Sequence, residues 1–161
     1  GLVALGSPGE LTCWMQALVA AVQQAVTARL PTLRGEAEDT LDGVRLHVRI
    51  NAGHFDFSST GGPHPGNLNA PVAVVRAAVL YALRVVVGLA LPLNEGVLRA
   101  VRLTIPPGSI LDPPPGAAVV GGNVETSQRL VDLVFRALGL RADSQGTMNN
   151  LSIGGERWAF Y

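Results

Sequence analysis

From Val72 to Leu91 almost every residue is apolar, and Pro71 and Pro92 bracket the run. Such a stretch has two outlets, a lipid bilayer or the interior of a packed protein. Arg76 and Arg84 lie inside it, and each guanidinium at membrane depth would cost about 3 kcal/mol. The run therefore predicts a buried helix from about Ala70 to Val87, closed by Gly88 at its C-terminus. A helix apolar on nearly every side needs cover on several faces. A chain of 161 residues can build one sizeable core. This helix is nevertheless expected to leave a face for a neighbour, either in a homo-oligomer or against another polypeptide.

The rest of the composition narrows the possibilities. Nearly half the residues are apolar and 15% are charged, which excludes a disordered chain. Net charge is zero and the twelve basic residues are all Arg, without a basic run. Nucleic acid is therefore not an expected partner. The N-terminal stretch lacks the basic start of a leader peptide, and Gln23 and Gln24 interrupt its apolar run, so no membrane partner is expected either. Cys13 stands alone, which precludes an internal disulfide and points to the cytoplasm, with the thiol buried in a structural role. The chain begins with Gly1 instead of Met and is expected to have been trimmed or cut from something longer.

Three further patterns complete the fold expectation. Ser7-Pro8-Gly9-Glu10 is a helix start with a capping box, and Leu11, Met15, Leu18, Val22 and Val26 follow as one stripe up to Pro31. Val44, Leu46, Val48 and Ile50 alternate with Arg45, His47 and Arg49, and His54 to Phe57 alternate again beyond Asn51-Ala52-Gly53. This reads as a hairpin with one wet face. Val101, Leu103 and Ile105 supply a third strand. A last helix is expected from Val124 to Leu138, with Val124, Val131, Val134 and Leu138 inward, an Asp132–Arg136 pair outside and Gly139 as cap. A final strand follows from Trp158 to Tyr161. The fold class is α+β: antiparallel strands packed by three helices, in one domain over residues 1–161.

Two polar loops are the candidate sites. Gly121-Gly122-Asn123-Val124-Glu125-Thr126-Ser127-Gln128 leads glycines straight into a helix start, where exposed amides and the helix dipole suit an anion or oxyanion. The same residues also read as an ordinary capped helix, with Asn123 as N-cap and Glu125 compensating the dipole. Ser144-Gln145-Gly146-Thr147-Met148-Asn149-Asn150 is rich in amides and hydroxyls, fit either to knit an irregular loop or to line a pocket. His47, His54 and His64 lack metal-ligand spacing. His47 is expected to be solvated, while His54 and Asp56 share a strand face that could meet a cation. No Gly-x-Ser-x-Gly elbow is present, so acyl-enzyme chemistry is not expected.

These two loops, with Arg129 completing the first, resemble hallmark strings of the hydantoinase B / 5-oxoprolinase family, which takes in N-methylhydantoinase B and acetone carboxylase alpha-type proteins. Asp56-Phe57-Ser58, Asn69-Ala70-Pro71, Pro92-Leu93-Asn94-Glu95-Gly96 and Pro107-Gly108-Ser109 resemble it too, in order, over about Leu33 to Tyr161. The resemblance implies ATP-dependent opening of cyclic amides of the hydantoin or 5-oxoproline type. A hydantoinase A-type partner subunit would use ATP and Mg to phosphorylate the substrate carbonyl. The B-type part then completes the reaction around a divalent metal. It implies a substrate-binding role for Gly121, Gly122, Asn123, Ser127, Gln128, Ser144, Gln145, Thr147, Asn149 and Asn150, and a catalytic, acid–base role for Glu125. The family's N-terminal metal-ligand region has no counterpart in this chain. No metal ligands are therefore assigned here, and the chain alone is expected to be inactive, as a truncated or split component. A non-catalytic interaction module, or a component of an ATP-dependent ketone carboxylase, are the alternatives.

Overall fold

Two tight turns shape the sheet. Strands β1 (Arg34–Leu41) and β2 (Val44–Asn51) are joined by Asp42-Gly43, and β2 is joined to β3 (His54–Asp56) by Ala52-Gly53. All four turn residues have positive φ, 46° and 82° in the first turn and 47° and 91° in the second. Paired positive φ values give the primed two-residue turn whose twist matches that of the flanking strands. Both pairings are antiparallel. Strand β4 (Arg102–Thr104) adds beside β3 in parallel. The expected α+β class is borne out with a mixed sheet, in order β1-β2-β3-β4. The parallel strand follows from connectivity: a long crossover through helices, unlike a hairpin, returns the chain in the same direction.

The computed structural model describes residues 6–88, 92–140, 143–144, 146 and 153–160. Its helices are α1 (Pro8–Thr27), α2 (Val72–Val87), the short α3 (Gly96–Arg99) and α4 (Ser127–Leu138). Helix α4 lies between the sheet and α2. It buries Leu130, Leu133, Val134, Phe135 and Ala137, which meet Leu46, Val48 and Ile50 of β2 and Val75, Ala78, Val79 and Leu83 of α2 in one core. The close approach of α4 to β1 depends on Gly35, where a Cβ would stand 1.7 Å from the Ala137 carbonyl oxygen. Asp39 on the same strand reaches Arg129 and Arg136 of α4, each at 3.4 Å. The expected caps of α2 and α4 are found, with Gly88 and Gly139 left-handed at φ 64° and 63°. No helix among the described residues is long and apolar enough to cross a membrane.

Helix α1 begins as the sequence indicates, with Ser7 and Glu10 forming a reciprocal capping box. The Ser7 backbone N–H holds the Glu10 carboxyl below its ordinary range. Its stripe, however, is buried only at Val22 and Val26, whereas Trp14, Met15 and Leu18 are more than half exposed. Cys13 is exposed too, against the expected buried thiol. The reason is geometric: α1 packs on α3, and a four-residue helix covers only the end of a long one. The tail forms a small hairpin of β5 (Ile153–Gly155) and β6 (Trp158–Phe160), in keeping with the expected last strand.

Candidate functional site

The start of the last helix is built by glycines, though not to free their amides. A Cβ on Gly122 would sit 2.1 Å from the Asn69 carbonyl oxygen, and one on Gly121 would sit 2.9 Å from that of Asn67. The glycines let the helix press onto the Asn67–Ala70 segment. Their N–H groups are spent on backbone carbonyls, Gly121 donating to Asn67 O at 2.8 Å and Gly122 to Val119 O at 3.0 Å. Thr126 adds a bond from its hydroxyl to Leu68 O. Asn69, fully buried, accepts from His64 N and donates toward the carbonyls of His64, Gly66 and Ala118. The expectation of exposed anion-binding amides at the two glycines is thus corrected: close packing is what requires them.

Gly122–Thr126 forms one wide π turn leading into α4. Such turns re-aim side chains within an otherwise regular helix and are frequent at functional sites. Here Val124 is left exposed rather than inward. Asn123 comes to the rim of a groove of about 860 Å³ between α2 and α4. Ala73, Ala77, Tyr81 and Val85 of α2 form its apolar wall, with Val131 and Phe135 opposite; Asn123, Ser127, Gln128, Asp132 and Ser144 supply the polar side. The Tyr81 and Phe135 rings stand 6.4 Å apart, inclined at 52°, a favourable aromatic geometry. Ser127 donates its hydroxyl to Asn123 O at 2.6 Å. Among the described residues the side-chain amides of Asn123 and Gln128 have no protein partner, and both line the groove.

The two candidate loops therefore meet at one place, through Asn123, Ser127 and Gln128 on one side and Ser144 on the other. Asp132 makes that junction. It is 6% exposed and accepts from Ser144 N at 3.0 Å and Ser144 Oγ at 2.8 Å. The expected outward Asp132–Arg136 pair does not form. Arg136 turns to Asp143 and Asp39, and Asp143 raises the guanidinium pKa further. Spacing alone suggested the pair; the tertiary partner Ser144 decided it. Gly121 and Gly122 are buried behind the groove, and Glu125 is half-buried in the π turn and is not part of the groove lining. Gln145, Thr147, Asn149 and Asn150 lie outside the described residues.

A profile of the hydantoinase B/oxoprolinase family matches residues 7–161. The chain belongs to the hydantoinase B/oxoprolinase family. It is 50% identical over 126 residues to a 5-oxoprolinase of Dictyostelium discoideum, covering 74% of this chain and 10% of that protein. It is 46% identical over 133 residues to 5-oxoprolinase 1 of Arabidopsis thaliana, covering 78% of this chain and 10% of that one. Among solved structures, the ATP-dependent caprolactamase from Pseudomonas jessenii aligns with TM-score 0.70 and 18% identity, over 85% of this chain and 26% of that chain. That likeness is one of fold. The chain thus spans about a tenth of the length of these two 5-oxoprolinases.

The divalent metal expected from the family resemblance finds no ligand set among the described residues. Among the described residues no three His, Cys, Asp or Glu side chains gather closely enough to hold an ion. His47 is buried instead of solvated, its Nε2 2.8 Å from Glu36 Oε1. Arg49 and then His47 pull the Glu36 carboxyl down to about 2. His54 is held between Thr104 and Arg102, and Asp56 accepts from Ser58 N, so the cation site suggested by their shared face is not formed. His64 bonds Asp42 at 2.8 Å and accepts from Gly66 N.

Proposed function

We propose that this chain supplies part of the substrate pocket of an ATP-dependent hydrolase that opens cyclic amides, of the hydantoin, 5-oxoproline or lactam kind. What carries the reading is convergence. Two polar motifs separated along the sequence line the same groove, with Asn123, Ser127 and Gln128 from one and Ser144 from the other. A ring needs an apolar wall for its methylenes and a few polar groups to fix its amide. The groove has both, with Tyr81, Val85 and Phe135 facing the amides. Gln145, Thr147, Asn149 and Asn150 are proposed to add to this pocket. Glu125 is the acid–base candidate of the first motif; unchanged turnover in Glu125→Gln would remove it.

In this reading a hydantoinase A-type partner uses ATP to activate the amide, in the cytoplasm. The divalent metal is proposed to be held by a part of the enzyme outside this chain; among the described residues no three His, Cys, Asp or Glu side chains gather closely enough for one. What this chain contributes is orientation, holding the ring so that its carbonyl carbon meets the attacking group. The test uses the complete B-type protein with its ATP-binding partner. Asn123→Ala and Gln128→Ala are each expected to lower kcat/KM for ring opening about tenfold or more. Turnover within twofold of the parent in both would overturn the reading. A non-catalytic interaction module draws support from the exposed Trp14, Met15 and Leu18 of α1, yet it offers no reason for two polar motifs to share a groove.

A further inference from the structure

The groove holds one acidic side chain, Asp132, and no Arg or His faces it among the described lining residues. Asp132 is buried. Its Oδ1 takes one hydrogen bond from Ser144 N and its Oδ2 takes one from Ser144 Oγ. A carboxylate has about four acceptor positions, and among the described residues each Asp132 oxygen has only one filled. Burying such a group beside apolar wall is unfavourable until another donor arrives. Arg136 does not supply it, being engaged by Asp39 and Asp143. Gln128 lies four residues earlier on α4, so both side chains project from one face about one turn apart. A small-ring amide presents its N–H and C=O side by side on one edge, which matches a carboxylate and a primary amide at that spacing.

We infer that Asp132 is the groove's acceptor for a ligand N–H, so that the groove selects secondary cyclic amides over N-alkylated ones. This rests on reading the groove as a cyclic-amide pocket, and the experiment separates the two. The complete B-type protein, labelled with ¹⁵N and ¹³C, is titrated with ε-caprolactam and with N-methyl-ε-caprolactam, rings of near-equal shape that differ in the donor. Both are expected to shift backbone amides around Gln128 and Asp132, the secondary lactam with about tenfold lower Kd. The Asp132 carboxyl carbon should move with the secondary lactam alone, a readout that needs no variant. In Asp132→Asn the preference should fall to about twofold or less. Equal affinities in the unmutated chain, or a preference that survives in Asp132→Asn, would overturn the inference and leave the pocket intact. Absence of any groove shift with either lactam would instead overturn the pocket reading itself.

Discussion

Replacing Gly122 by Ala tests the packing that holds the groove's polar side in place. The new Cβ would lie 2.1 Å from Asn69 O, 2.8 Å from Asn69 C and 2.9 Å from Ala70 Cα. All three are backbone atoms, so no side chain can swing aside, and the shortest approach is roughly 1 Å inside ordinary contact. The helix must move off the Asn67–Ala70 segment. That motion strains the bonds from Gly121 N to Asn67 O and from Thr126 to Leu68 O. Overpacking of this kind costs about 1–3 kcal/mol, less up to about 1 kcal/mol recovered because Ala favours helix over Gly. The net loss is about 1–2 kcal/mol in the middle of that range, or a Tm lower by about 2–8 °C for a chain of this size. Urea denaturation alongside calorimetry would measure it. Gly9→Ala is the control, because nothing stands within 4 Å of a Cβ there; it should leave stability level or raise it by up to about 1 kcal/mol. Should Gly122→Ala match Gly9→Ala, the close-approach argument is refuted.

Other expectations follow from the same geometry. Asn69→Ala removes a buried amide joining four backbone groups and should cost about 3 kcal/mol in urea unfolding. The Glu36 carboxyl is lowered from 4.5 to about 2, chiefly by Arg49, so its contribution is full above pH 4.5 and fades as pH falls toward 2. Melting curves of Glu36→Gln and the parent should accordingly differ at neutral pH and converge near pH 2; a constant gap would contradict the pairing. Leu18→Glu on the exposed part of α1 should stay within about 0.5 kcal/mol of the parent. Leu133→Ala, at a fully buried position, should cost about 3 kcal/mol.

Where a residue's partners lie close in sequence, or its apolar period is clear, the fold was legible beforehand. The capping box at Ser7, the glycine caps at Gly88 and Gly139 and the alternation of β2 all follow from local rules. Strand β1 escaped because its inward positions carry little apolar signal. Gly35 must be small where α4 crosses, Ala37 offers only a methyl to the core, and Asp39 points to arginines on that helix. Its Asp42-Gly43 turn was the available clue. Burial of His47 was likewise hidden, since Glu36 on the unrecognised strand is its partner. At the site, the motifs named Asn123, Ser127, Gln128 and Ser144. Asp132 was misplaced because an i,i+4 rule knows nothing of a residue twelve positions away. The exposed half of α1 shows the converse limit: a stripe records that a face is apolar, not that this chain covers it.

The measurement that bears most directly on the groove is a structure of the complete B-type protein and its ATP-binding partner with a cyclic amide bound. The ring should lie in the groove against Tyr81 and Phe135, with its amide edge within hydrogen-bond distance of Gln128 and Asp132. A ring bound elsewhere, with the space between α2 and α4 filled by another segment of the polypeptide, would make the groove a packing surface and contradict the proposed role.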